Sequence, residues 1–172
     1  MKFFHISIFL FFFGAIQAQI NPEEKLTQMG IELPTVASPV GNYVNVVQTG
    51  NLLFLAGKGP SLPEGGYITG KIGQDLSIAD GYNAARLTGI NQLAVLKDYL
   101  GSLNRVKRIV KVLGMVNAVE NFENHPEVIN GFSDLMVEIF GTKGKHARAA
   151  VGMGSLPRNI AVEIEMIVEI EN

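Results

Sequence analysis

The stretch from residue 146 to residue 170 reads HARAAVGMGSLPRNIAVEIEMIVEI and contains the clearest structural pattern in the chain. From residue 160 onward, apolar residues occupy every second position, which predicts a β-strand over residues 160–170. Because successive side chains of a strand point to opposite faces, one face of this strand is entirely apolar and must be covered. The other face carries Glu163, Glu165 and Glu169, more charge than a closed core accepts without partners. The pattern therefore predicts a sheet with one face in the core and the other available to bind a polar group.

The remainder of the chain predicts an alternation of strands and helices. A capping-box pattern begins a helix at Ser77, and Gly101 ends it. A second helix begins near Pro126 and ends at Gly141. Helical spacing predicts that one stripe of the first helix, with Leu87, Ile90 and Leu93, faces the core together with Phe132 and Leu135 of the second. The other predicted elements are a hairpin at residues 43–48 and 52–56 and strands at 106–118 and 147–153. The order β-β-α-β-α-β-β predicts an α+β fold in which two helices cover one face of a single mixed sheet.

The N-terminal residues have the pattern of a targeting segment. Lys2 precedes a dense apolar run, and Ala18 offers a small residue at a cleavage point, so residues 1–18 are predicted to be a signal peptide. The alternative is an uncleaved anchor, although the run is shorter than the ~20 residues of a membrane span. We expect a periplasmic or secreted protein with no stable membrane insertion after cleavage. Residues 19–34 are predicted to form a short helix and a linker, and residues 35–172 the main domain.

Composition excludes several classes of site. The chain of 172 residues has a net charge of −2 and no cysteine, which excludes disulfides and thiolate catalysis. A nucleic-acid partner is not expected, because no basic face is apparent. Outside the signal segment the only histidines are His125 and His146, so we expect no metal site and no cofactor.

Two groups of short motifs occur near the two ends of the predicted main domain. The C-terminal group consists of Ala147-Arg148, Leu156-Pro157 and Val162-Glu163-Ile164-Glu165. The upstream group consists of Gly41-Asn42-Tyr43-Val44, Gly50-Asn51, Leu55-Ala56-Gly57 and Pro60. Together they resemble the RidA (YjgF) family, and the similarity spans roughly residues 35–170. The segment GKIGQDLSIADGYNAARLTGINQL is similar to the family branch named after chorismate mutase for its fold. The resemblance implies a homotrimer with ligand sites in the clefts between subunits.

The resemblance also implies roles for individual residues. Arg148 matches the family arginine that holds a substrate carboxylate, and Glu163 the glutamate that positions water or moves a proton. Tyr43 matches a tyrosine of the pocket wall, and Asn130 lies in a helix similar to a family helix. Beside Gly57, whose missing side chain lets a ligand approach the backbone, Lys58 could supply a second positive charge.

Each of these residues also has a structural interpretation. Arg148 could form an ion pair with Glu163 or Glu165, and Glu163 could pair with a cation of the predicted strand at 106–118. Tyr43 could be an ordinary strand aromatic, Asn130 a helix-surface amide and Lys58 a solvated charge. The cations available to Glu163 are Lys107, Arg108 and Lys111.

Three functions follow from these interpretations. The first is an exported protein that binds a small carboxylate between subunits and hydrolyses 2-imino or 2-enamino acids to 2-keto acids and ammonia. The family deaminases usually carry serine where this chain has Ala56 and cysteine where it has Ala150, which favours a second function, binding of a small acid without catalysis. The third is an endoribonuclease, against which stand the negative net charge and the lack of a paired-histidine site.

We expect N-terminal sequencing of the exported protein to find a mature chain that begins near Gln19, because Ala18 follows the apolar run directly. An exported product that retains residues 3–13 would contradict this cleavage.

Overall fold

A five-stranded mixed sheet is the framework of the structure, a computed structural model that describes residues 21–39 and 41–171. Its strands lie in the order β1-β2-β5-β3-β4, so the alternating C-terminal strand is central. Strands β3 and β4 are parallel, and every other neighbouring pair is antiparallel. The strands are β1 (Val46–Thr49), β2 (Leu52–Lys58), β3 (Val106–Asn117), β4 (Ala147–Met153) and β5 (Val162–Ile170). The predicted α+β fold is confirmed, although β1 begins later than residue 43.

Three helices accompany the sheet: α1 (Pro22–Gln28), α2 (Ile78–Leu100) and α3 (His125–Phe140). Helix α2 begins with the predicted capping box, in which the Ser77 and Asp80 side chains each accept a hydrogen bond from the other's backbone N–H. It ends at Gly101, whose φ of 76° suits a residue without a side chain. Helices α2 and α3 pack against each other closely at Gly131, where a Cβ would collide with the carbonyl of Tyr82.

The core lies between these two helices and the apolar face of β5. All five alternate residues of that face are buried: Val162, Ile164, Met166, Val168 and Ile170. Phe132 and Leu135 of α3 are fully buried, as predicted, and so is Leu93 of α2. Leu87 and Ile90, which were predicted for the same stripe, are only partly buried. The stripe of α2 therefore turns partly toward solvent at these two positions.

The opposite face of the sheet bears no helix among the described residues and mixes charged with apolar side chains. Glu169 pairs with Lys107 at 2.8 Å between Oε1 and Nζ, which confirms that the basic stretch of β3 supplies a partner for a β5 glutamate. Val47, Phe54 and Val151 leave 55, 41 and 40% of their surfaces exposed. This face therefore presents apolar surface that the single chain does not cover.

Helix α1 is held against the end of α2 and the turn that follows it by one carboxylate. Glu23 accepts hydrogen bonds from Nζ of Lys97 at 2.9 Å and from Oγ of Ser102 and the backbone N–H of Leu103 at 3.0 Å each. The bond from Lys97 lowers the pKa of Glu23, and the bonds from Leu103 and Ser102 lower it further against the opposing effect of burial. The predicted signal peptide lies outside the described residues. Of the helices that the structure describes, none has the length and apolar character needed to span a bilayer.

The central core position is Phe132, and we expect Phe132→Ala to lower the free energy of unfolding by ~3–5 kcal/mol because it leaves a cavity. Val137→Ala on the same helix is the matched control, since Val137 is 37% exposed and its loss should cost about 0.5 kcal/mol or less. Denaturant titrations at equal protomer concentration measure both. If Phe132→Ala lowers the free energy of unfolding as little as the control does, Phe132 does not face the core and the orientation of α3 is wrong.

Candidate functional site

The side chain of Arg148 on β4 is held at one end by two neutral side chains of α3. Its Nη1 donates to Oδ1 of Asn130 at 2.9 Å and to Oγ of Ser133 at 3.0 Å. Asn130 and Ser133 are three residues apart and so lie on one face of the helix. Both hydrogens of Nη1 are thereby used, while Nε and Nη2 form the edge that matches a carboxylate in two parallel bonds.

The charge of Arg148 has no carboxylate within 4.0 Å in the part of the chain that the structure describes. The alternative of an ion pair with Glu163 or Glu165 is therefore not what the structure forms. A partly buried guanidinium with only neutral partners is an electrostatically unbalanced group. Such a group favours an anion from outside the chain.

Behind Ser133 lies His146, which extends the network away from Arg148. Nε2 of His146 is 3.1 Å from Oγ of Ser133, and Nδ1 is 2.7 Å from the carbonyl oxygen of Gly144. A carbonyl only accepts, so Nδ1 carries the proton and the neutral Nε2 accepts from the Ser133 hydroxyl. Burial lowers the pKa of His146, the Gly144 bond opposes this, and the Arg148 charge lowers it further. The geometry thus places one proton on Nδ1, and burial together with the Arg148 charge favours the ring that carries no second proton.

Tyr43, Gly57, Lys58 and Glu163 line a different feature, a cleft of about 680 Å³. The cleft lies beside the register shift between β2 and β5, and residues 34–37, helix α2 and the loop after β2 contribute to its walls. The structure therefore brings four of the six predicted site residues together, and it brings Asn130 and Arg148 together elsewhere.

Gly57 and Glu163 fit each other within this cleft. A Cβ at Gly57 would collide with Oε1 of Glu163, so the glutamate occupies the space that the glycine leaves. Burial raises the pKa of the Glu163 carboxyl, and the neighbouring Glu165 adds to the rise. None of the described lysines or arginines lies within 4.0 Å of Glu163. A carboxyl in this setting is suited to exchange protons nearer neutral pH than an exposed glutamate.

Lys58 is partly buried beside it, and its Nζ donates to Oδ1 of Asn45 at 2.6 Å. Burial lowers the pKa of the Lys58 ammonium. The charge is thus partly desolvated and bonded to a neutral amide, so the interpretation of a freely solvated charge does not hold. An anion in the cleft would offset that desolvation.

Gln92, which was not predicted as a site residue, shapes this part of the sheet. Between Leu55 and Lys58 the ladder of β2 and β5 shifts register. Nε2 of Gln92 on α2 donates to the carbonyl oxygens of Ala56 at 2.9 Å and Ile164 at 2.7 Å. The buried amide thereby holds the two backbones where the ladder is irregular, directly before Gly57.

Arg158 and Tyr67 were also missed, and both line the cleft. Nη1 of Arg158 donates to the Tyr67 hydroxyl at 3.0 Å, and its guanidinium lies 5.6 Å from the centre of the same ring. The backbone of Arg158 has a φ of 56°, a left-handed conformation uncommon for residues other than glycine. The charged residues of the cleft are therefore Lys58, Arg158 and Glu163, two cations and one carboxyl.

Comparison with known proteins matches residues 23–170 to the family described as "YjgF/chorismate mutase-like, putative endoribonuclease". The chain belongs to this family, also known as RidA. Similar proteins include the protein TCP17 of Trypanosoma cruzi, which is 40% identical over 86% of this chain and 92% of its own length. A 2-iminobutanoate/2-iminopropanoate deaminase of Dermatophagoides farinae is 32% identical over 82% of this chain and 95% of its own. A solved protein of unknown function from Agrobacterium tumefaciens is 41% identical, with a TM-score of 0.80 over 87% of this chain and 94% of its own.

Within one chain of this RidA-family protein, the two groups of residues cannot contact the same small ligand. Arg148 pairs in register with Val112 of β3 and Glu163 with Met115, an odd offset that places them on opposite faces. One intervening strand separates β4 from β5, which amounts to ~10 Å at ~4.8 Å per strand. Three residues along the strand add a further ~10 Å. A site that uses both groups therefore needs two copies of the chain.

The side chains of the described residues are not arranged to ligate a metal ion. In residues 21–39 and 41–171, no three histidine, aspartate or glutamate side chains are grouped closely enough to hold an ion.

The fit between Gly57 and Glu163 yields a prediction. We expect Gly57→Ala to lower the free energy of unfolding by ~1–3 kcal/mol, because the added methyl displaces the glutamate. Adding Glu163→Ala in the same chain should recover most of that loss, so a double-mutant cycle will give a coupling energy well above ~0.5 kcal/mol.

Gly154→Ala is the control, since nothing lies within 4 Å of the position of its Cβ. Its change should stay within about 0.5 kcal/mol. Additive effects of the two cleft substitutions would show that the two residues do not pack against each other.

Proposed function

We propose that this protein binds a small carboxylate-bearing molecule at Arg148, in a site completed by a second copy of the chain, and hydrolyses 2-imino or 2-enamino acids there. The observation that carries the proposal is the free Nε–Nη2 edge of a guanidinium whose other end is fixed by Asn130 and Ser133. An immobilised fork loses little entropy when a carboxylate binds. The Dermatophagoides farinae relative named as a 2-iminobutanoate/2-iminopropanoate deaminase supports the choice of reaction.

Glu163 would supply the proton transfers of this reaction. Its carboxylate takes a proton from water as the water oxygen bonds to the imine carbon, and it passes that proton to the imine nitrogen to give the carbinolamine. The carboxylate then takes the hydroxyl proton of the carbinolamine and delivers it to the amino group. The C–N bond breaks as the C=O bond forms, which releases ammonia and leaves the 2-keto acid. The raised pKa of Glu163 brings its basicity closer to that needed near neutral pH. Overall, one water is consumed for each ammonia released.

The assembly proposed here is a homotrimer. Arg148 and Glu163 lie on opposite faces of one chain, so each site would take Arg148 and Asn130 from one subunit and the Glu163 cleft from its neighbour. The exposed apolar side chains of the uncovered sheet face, including Phe54 and Val151, would be buried on assembly. Export, which residues 1–18 favour, would place the trimer outside the cytoplasm.

A second candidate function is binding without turnover, and the alanines at positions 56 and 150 favour it. Neither side chain offers a hydrogen bond to orient the imine, whereas the carboxylate fork of Arg148 is intact. The same protein would then act as a small-acid receptor. Both functions share the Arg148 site, and only turnover distinguishes them.

The test is release of ammonia and 2-oxobutyrate from 2-iminobutyrate generated enzymatically in the assay, combined with melting shifts in 2-oxobutyrate. We expect Arg148→Ala to weaken 2-oxobutyrate binding at least tenfold, since a charge-assisted bond contributes ~1.5–3 kcal/mol. The variant should remain an assembled trimer in sedimentation, because the partners it leaves behind are neutral. Arg148→Lys should recover binding only in part, since an ammonium cannot form the two parallel bonds.

Arg105→Ala, which removes an exposed arginine of the short turn before β3, is the matched control and should leave binding unchanged. Glu163→Gln should abolish turnover while 2-oxobutyrate still binds. Wild-type binding without acceleration of hydrolysis would favour the receptor function. Unchanged binding by Arg148→Ala would contradict both functions, and a monomer at micromolar concentration would contradict the shared site.

A further inference from the structure

The hydrogen bonds from Arg148 to Gly144 form a chain whose direction depends on the charge of His146. Arginine can only donate and the Gly144 carbonyl can only accept, so each group between them donates toward Gly144 while the imidazole is neutral. Arg148 donates to Ser133, Ser133 donates to His146, and His146 donates to Gly144. The Ser133 hydroxyl therefore points its hydrogen away from the free edge of Arg148 while His146 is neutral.

We infer that Ser133 and His146 couple anion binding at Arg148 to proton uptake: a bound carboxylate favours the protonated imidazole, which frees the Ser133 hydroxyl hydrogen for the ligand. This inference rests on the carboxylate site proposed above. Ser133 would contact the ligand, and His146 would act through Ser133 as a positioning residue.

Protonation of His146 changes the bond at Nε2 rather than the bond at Nδ1. The new proton comes from solvent and resides on Nε2, which then donates to Ser133 instead of accepting from it. Oγ of Ser133 has two lone pairs and can accept from His146 and Arg148 at once. Its own hydrogen then has no partner in the chain and can turn to a carboxylate oxygen. The site gains one positive charge and one donor, and both favour an anion.

Of the charged groups around His146, Arg148 and the bound ligand have the main influence on its protonation. From α3, the neutral Ser133 and the edge of the Phe132 ring face the imidazole, with 6.5 Å between ring centres. Of the three acids on that helix, Asp134 bonds to the Tyr82 hydroxyl, Glu138 pairs with Arg86, and Glu127 is exposed in the first turn. Charged groups on the neighbouring segments include the exposed Lys145, which directly precedes His146, and Lys143, whose Nζ bonds to the carbonyl of Val106 and approaches Glu171. They also include the exposed Lys111 of β3, whose register neighbour is Ala147.

The direction of the pH dependence follows from this arrangement. Burial and the Arg148 charge keep the pKa of His146 below its ordinary value in the free protein, so the ring is neutral at neutral pH. A carboxylate on Arg148 cancels the repulsion and raises the pKa of His146 in the complex. Affinity should then fall as pH rises between the pKa of the free protein and that of the complex. With one proton linked, the slope cannot exceed tenfold in Kd per pH unit.

The experiment is calorimetric titration of the mature protein with 2-oxobutyrate from pH 5 to pH 8, in two buffers that differ in enthalpy of ionisation. The wild type should take up between zero and one proton on binding, with Kd increasing several-fold over part of the range. His146→Gln keeps polar groups at the position but cannot titrate there, so proton uptake should vanish. Ser133→Ala should weaken binding most at low pH, where its hydroxyl would donate to the ligand. His125→Gln is the matched control and should retain the wild-type profile.

A second readout needs no ligand. The ring protons of His146 report its titration by NMR, and Arg148→Met should raise the pKa of His146 by removing the adjacent charge. Binding with no proton uptake at any pH, or uptake retained in His146→Gln, would overturn the coupling and leave the proposed function standing. If 2-oxobutyrate fails to bind the wild type, or binds Arg148→Met as tightly, the carboxylate site itself fails and the coupling with it.

Discussion

The rest of the structure depends on one constraint, the strict alternation along β5 of buried apolar side chains with side chains that face away from the helices. As the central strand it is bonded on both sides, so its register fixes the faces of β2 and β3 and, through β3, of β4. A shift of one residue would place three glutamates under the helices and expose five buried apolar side chains, which is energetically prohibitive. The same alternation places Glu163 on the face without helices and, two strands away, Arg148 on the face with them. The division of the site into two halves is thus a consequence of the register that forms the core.

Each half of the site carries charge that its own chain does not neutralise. At β4, Arg148 is held by an amide and a hydroxyl, and in the cleft Lys58 is held by an amide. Neutral partners fix the positions of these cations without cancelling their fields, whereas a carboxylate partner would compete with a ligand for the same donors. Elsewhere in the molecule cations do pair with carboxylates, as in Arg86–Glu138 and Lys97–Glu23. This difference between the two settings is what supports the proposal that Arg148 binds a ligand.

The sequence was sufficient to predict the fold, because hydrophobic periodicity, the capping box at Ser77 and the glycine at 101 act locally. It also predicted that Gly57 and Glu163 are near a shared site, through the family resemblance. Ser133, His146 and Gln92 were missed, since their roles depend on tertiary contacts. In retrospect, residue spacing gives a clue to the first two. His146 and Arg148 are two residues apart at the start of a strand, and Asn130 and Ser133 are three residues apart on a helix. The members of each pair therefore share a face. Nothing in the sequence places those two faces against each other. The sequence offers no such clue to Gln92 or Arg158. The register shift that Gln92 supports and the left-handed backbone of Arg158 both result from tertiary packing.

In the proposed trimer, the opposition of the two halves makes assembly a condition of function rather than an addition to it. A ligand that bridged Arg148 of one subunit and Glu163 of the next would contact both, so its binding energy would also stabilise their association. Conversely, the unassembled chain presents only one half of the proposed site on each face, and its affinity for a small acid would be limited to the bonds of that half. Burial of the apolar sheet face on assembly would have two effects. It would remove Phe54 and Val151 from water, and it would bring an uncompensated guanidinium to a carboxyl whose pKa is raised by burial. The energy that held the subunits together would then also position the reacting groups.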